Sequence, residues 1–117
     1  MKKRIDPYGI PNVNFSIFNP KDDRADRFKK ERLERGFDES ETWDLRTTLA
    51  RFALPRVKEY LRIVTFQGEN KEHIKDVKDI IVALELIAND EVMVEEKVKK
   101  VKKGLKKLGD NWLGLWW

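Results

Sequence analysis

The chain has 117 residues, of which 39% are charged and 40% hydrophobic, with a formal net charge of +4 and no cysteine. That length holds one domain with a modest core. The missing cysteines exclude disulfides, thiolate metal sites and cysteine nucleophiles, and the clustered apolar residues exclude a disordered polar chain.

Residues 1–19 read as an extended N-terminal arm. Pro7 and Pro11 punctuate this region and Pro20 follows it, and Val13, Phe15 and Ile17 alternate with polar neighbours in the period of a strand. Such a strand either lies on the helices as an arm or pairs with a second copy. Residues 20–117 read as the helical domain. The first helix spans about 20–35, with Asn19 as cap, Pro20 at its first position and Gly36 as stop. Its apolar stripe, Ala25, Phe28 and Leu33, is thin.

A central segment from Phe37 to Phe66 carries the densest helical periodicity. Asp38 and Glu41 have capping-box spacing. Leu45, Leu49, Phe52 and Ala53 form its apolar face, which Val57, Tyr60, Leu61 and Val64 continue. Pro55 lies inside the pattern. It lacks the N–H that the Arg51 carbonyl needs, so a kink is expected near Arg51–Leu54, or two helices meeting there.

The third helix is read at about 71–88, capped by Asn70, with Ile74, Val77, Ile80, Ile81, Leu84, Ile87 and Ala88 along one face. The fourth runs from about 91. Val94, Val98, Val101, Leu105, Leu108 and Trp112 recur at alternating spacings of four and three, a seam for the core or for a partner helix. Gly104, Gly109 and Gly114 weaken its far end by about 1 kcal/mol each. The short turn between these helices makes them antiparallel neighbours. The expected fold is all-α: four helices in one domain, a central helix kinked at Pro55, and an extended N-terminal arm.

Motifs for catalysis are missing. There is no phosphate loop, no dinucleotide fingerprint and no H-E-x-x-H. His73, the single histidine, stands in the first turn of the third helix without a serine or cysteine motif and reads as a surface residue. Asp38, Glu39, Glu41 and Asp44 lack the glycine spacing of a calcium loop and read as helix-start residues. No metal, no cofactor and no enzymatic activity are expected. Glu85 interrupts an apolar run and needs a partner, Arg51 or Arg56; the alternative is a polar pocket beside the proline.

Two surfaces invite binding. Lys97 to Lys107 contains seven lysines and no acid, which suits either phosphate neutralisation or a solvated helix face. Trp112, Trp116 and Trp117 crowd the C-terminal residues; they either fold back on the core or form a contact surface, with core packing expected for Trp112 and core packing or self-association for Trp116. No apolar run approaches the roughly 20 residues of a membrane span. Asp6-Pro7-Tyr8-Gly9 follows the opening basic residues, so no signal-peptide core is read.

Trp43-Asp44-Leu45, the run Ala50-Arg51-Phe52-Ala53-Leu54-Pro55-Arg56-Val57, Leu84-Glu85-Leu86-Ile87, Gly104-Leu105 and Leu115-Trp116 together resemble a set of small uncharacterised proteins of tailed bacteriophages. The resemblance covers roughly residues 40–117. It departs from the family pattern at Gln67-Gly68-Glu69, at His73-Ile74 and in the lysine-rich last helix, and it carries no catalytic residues. It implies a phage gene product in the host cytoplasm, or in the virion.

The function expected from these features is non-enzymatic binding: sequestration of a host protein or of a small anionic ligand such as a nucleotide. Arg46, Arg51, Arg56, Tyr60 and Glu85 are the ligand candidates, because arginine clamps phosphate bidentately. Trp112, Trp116, Trp117, Lys99 and Lys103 are the interaction-surface candidates, with homo-oligomerisation expected and membrane contact not. The alternatives are a minor virion or assembly component and a nucleic-acid-binding protein acting through the lysine run.

Overall fold

The computed structural model describes Phe15, residues 21–92 and residues 94–117. Its elements are all helical: α1 (Ala25–Arg35), a 3-10 turn (Glu39–Thr42), α2 (Leu45–Phe66), α3 (Lys71–Ala88), α4 (Glu95–Asn111) and a terminal 3-10 turn (Trp112–Gly114). The expected all-α class holds. The chain divides into two compact units, Met1–Thr48 and Leu49–Trp117, with the division falling inside α2. The strand expected at residues 13–17 lies outside the described residues except for Phe15, which is half-buried and in no strand. The expected cap and first position of the first helix, Asn19 and Pro20, also lie outside them.

In the first unit α1 starts at Ala25, five residues after the expected position. Asp22 is the reason: its carboxylate accepts the Arg24 backbone N–H at 2.8 Å and pairs with the Arg24 guanidinium, closing a turn first. Phe28 is the buried anchor of α1 and meets Trp43 edge to face, ring centroids 5.6 Å apart. Arg24 lies over both rings. The capping box of Asp38 and Glu41 forms as expected, but it starts the 3-10 turn and not α2. Asp44 caps α2 instead, accepting from the Thr47 N–H at 3.4 Å and its hydroxyl at 2.8 Å.

The second unit is built on α3. Asn70 caps it as expected, accepting from the N–H groups of Glu72 and His73. Val77, Ile80, Ile81, Ala83, Leu84, Ile87 and Ala88 are buried along it. Ala50, Ala53, Leu54 and Val57 of α2 and Val101 and Leu108 of α4 pack on this spine. α2 passes through Pro55 as one continuous helix, not as two helices meeting there. It stops at Gly68, which takes φ +74°, a left-handed conformation that glycine adopts without a steric penalty.

The apolar face expected for α2 holds at Ala53, Val57 and Val64 and is corrected toward its start. Leu49 and Phe52 are exposed, at 57% and 48%, while Ala50 is buried. One step along a helix turns the face by about 100°. Ala50, with Ala53, Leu54 and Val57, packs against the α3 core, and that packing sets the face.

Candidate functional site

The first unit holds a buried polar cluster. Asp38 is completely buried. Its Oδ1 accepts from the Ser40 N–H at 2.8 Å and the Ser40 hydroxyl at 2.5 Å, and its Oδ2 takes Arg32 Nη1 at 2.5 Å. The Asp38 N–H donates to Glu41 Oε2 at 2.7 Å. Burial pushes the Glu41 carboxyl above its ordinary range, against the N–H groups of Asp38 and Phe15 that favour its charged form. These groups face one another and join α1 to the turn, which is the work of a fold contact.

The second unit holds a more open arrangement. A groove of about 230 Å³ is lined by Phe52, Ala53, Arg56, Val57 and Tyr60 of α2, Ile80 of α3, Leu108 of α4 and Leu115. Its wall is apolar apart from two groups. Arg56 stacks on the Phe52 ring, 3.9 Å from its centroid, and donates to the Phe52 carbonyl at 2.8 Å. Tyr60 puts its hydroxyl 2.7 Å from His73 Nε2, within 3.3 Å of the Gly114 carbonyl and 3.4 Å of that of Trp116.

Behind Tyr60 a polar chain links all three helices. His73 Nδ1 lies 3.1 Å from Asn111 Oδ1. The Asn111 amide donates to Asp76 Oδ2 at 3.1 Å and to the Lys107 carbonyl at 2.8 Å. Lys107 Nζ closes the chain on Asp76 Oδ1 at 3.0 Å. With the amide oriented so, its oxygen accepts the His73 Nδ1 hydrogen and Nε2 accepts from Tyr60. The Asn111 amide, and then Lys107, hold the Asp76 carboxyl below its ordinary range; Asp76 in turn raises Lys107. Burial, followed by the charge of Glu69, raises the Tyr60 hydroxyl. His73 is therefore not a free surface residue but a half-buried link. The sequence carried a signal of it: His73 and Asp76 are three apart, and Lys107 and Asn111 four apart, each pair on one face of its helix.

The structure brings together only two of the five ligand candidates, Arg56 and Tyr60. Arg46 lies in the other unit and pairs with Asp44 at 3.4 Å. Arg51 turns to the C-terminal end of α3, its Nε 3.4 Å from the Ala88 carbonyl. Among the described residues no ion pair joins Glu85 to Arg51 or Arg56, so the expected salt bridge is corrected. Glu85 is half-buried on α3, where its backbone carbonyl accepts from Asn89.

The interaction candidates divide differently. Trp112 is 64% exposed, which corrects its expected core position; Trp116 and Trp117 are 73% and 65% exposed. In the lysine run, Lys97, Lys103, Lys106 and Lys107 meet Glu91, Asp79, Asp110 and Asp76. Lys99 is exposed. Local acids thus neutralise four of the seven charges, weakening the run as a phosphate-binding surface. Among the described residues no three histidine or acidic side chains are placed to hold a metal ion, and no helix is long and apolar enough to cross a membrane.

No family model, no curated protein and no solved structure matches this chain.

Proposed function

We propose that this is a phage-encoded, non-catalytic binding protein whose partner is a protein and not a nucleotide. The observation that carries this reading is the α2–α4 groove: an apolar, aromatic wall whose Phe52 ring is 48% exposed. A nucleotide site needs cationic and N–H donors converging on phosphate. Here Arg51 serves the end of α3, Arg56 lies flat on Phe52, and Arg46 is held by Asp44. Aromatic and arginine side chains beside an apolar pocket are the usual anchors of protein interfaces.

A photo-reactive amino acid at position 52 tests this in infected cells. The expected result is a discrete protein adduct from position 52 and none from position 102, on the lysine face. Absence of a protein adduct at position 52 would overturn the reading, and so would measurable heat on titrating cyclic or linear nucleotides.

A further inference from the structure

We propose that the partner at the groove is a second copy of this chain, joined in a two-fold pair in which the C-terminal tryptophans of each copy anchor in the other's groove. This rests on the protein-binding reading above and names its partner. The groove measures about 230 Å³, below the roughly 300–1,000 Å³ of clefts that enclose a small molecule. It suits one large side chain. Its Arg56 guanidinium and Phe52 ring offer a flat, cationic platform on which an indole stacks.

The chain itself supplies such anchors. Trp112, Leu113, Trp116 and Trp117 are 64%, 91%, 73% and 65% exposed. A tryptophan buries on the order of 150–250 Å² when covered. Those four residues with the exposed parts of Phe52 and Leu105 present about 700 Å² of apolar surface per copy, close to the ~800 Å² per partner of a stable interface. A two-fold contact requires one patch that carries both halves of the match. Leu115 lines the groove, and the Gly114 and Trp116 carbonyls lie 3.3 and 3.4 Å from the Tyr60 hydroxyl, so the C-terminal residues border the groove.

Charge placement favours a second copy over a lipid surface. At 100° per residue, Lys99, Lys103 and Lys106 fall on the side of α4 opposite Leu108, which lines the groove. Two copies meeting groove to groove keep these like charges apart. A bilayer needs lysines and tryptophans at one headgroup plane; these three lysines lie opposite the groove, and Lys97, on the groove side, is held by Glu91.

Light scattering on the full chain across about 10–100 µM protein, with Phe52→Glu, Trp116→Ala and the control Lys102→Glu, tests the pairing. The wild type and Lys102→Glu are expected at twice 13.9 kDa. Phe52→Glu and Trp116→Ala are expected to dissociate at least roughly 30-fold more readily, as for interface hot spots. Unchanged helical circular dichroism confirms that these exposed substitutions leave the fold intact. A monomeric wild type at every concentration overturns the proposal, and so does a pair that survives both substitutions. A position-52 adduct to a different protein, with a monomeric chain, overturns the pair while the protein-binding reading stands. No protein adduct at all overturns both.

Discussion

Gly104 and Gly109 stand five residues apart in α4, and replacing each by alanine is expected to move stability in opposite directions. A β-carbon at Gly104 runs into the Ala83 side chain and comes within 2.5 Å of the Asp79 carbonyl oxygen. One obstacle is backbone and the other a methyl group fixed to it, so neither swings aside. α4 has to lift from α3, loosening Val101 and Leu108 from Ile80 and Leu84. Overpacking of this kind costs typically about 1–3 kcal/mol, and a backbone obstacle belongs at the upper end. Alanine returns about 1 kcal/mol of helix propensity. The net is a loss of roughly 2 kcal/mol, about 8–16 °C in Tm for a unit of this size. At Gly109 a β-carbon meets nothing within 4 Å. Only the propensity gain remains, a few tenths to about 1 kcal/mol near a helix end. Thermal unfolding followed at the helical circular dichroism band measures both. A Gly104→Ala variant that melts at or above the wild type would refute the close approach of α3 and α4.

Asp38→Ala removes the buried carboxylate that meets the Arg32 guanidinium, whose side chain is only 7% exposed, and that accepts from Ser40. The expected loss is about 3–5 kcal/mol, seen as faster hydrogen exchange across α1 and the Glu39–Thr42 turn. Tyr60→Phe keeps the ring and removes the hydroxyl beside His73; a fall of about 1 kcal/mol in urea unfolding is expected, and an unchanged midpoint would dismiss that bond as idle. Asp76 titrates below its ordinary value in the folded state, so its contribution is complete above the unfolded pKa of 3.8 and is lost as pH falls through the lower folded value. The wild type should therefore lose its advantage in Tm over Asp76→Asn as pH falls from about 6 to about 2.

The strength of each sequence signal tracks how local its cause is. The cap at Asn70, the apolar face of α3 and the capping box of Asp38 and Glu41 rest on residues within a turn or two of one another, and the structure keeps them. The face of α2 depended on which neighbour it met. Leu49 and Phe52 carry a stronger apolar signal than Ala50, yet Ala50 is the one buried, in one cluster with Ile80 and Leu84 of α3. Gly104 read as a weak point of α4 until Ala83 and Asp79, more than twenty residues earlier, were seen opposite it. His73 looked isolated because its partners, Tyr60 and Asn111, are 13 and 38 residues away. Composition cannot report a contact that only the fold creates.

Pro55 shows how a local defect shapes the candidate site. It carries no N–H, so the carbonyl of Arg51 lacks the donor that a helix normally supplies four residues on. α2 nonetheless continues to Phe66, because Ala53, Leu54 and Val57 on both sides of the proline pack against the α3 core. The next carbonyl along, that of Phe52, takes the Arg56 guanidinium at 2.8 Å. That bond lays Arg56 across the Phe52 ring and fixes both as one wall of the groove. The arginines beside the proline were expected to clamp a phosphate. Arg56 instead enters a cation–π platform with Phe52, a surface on which an aromatic side chain can stack.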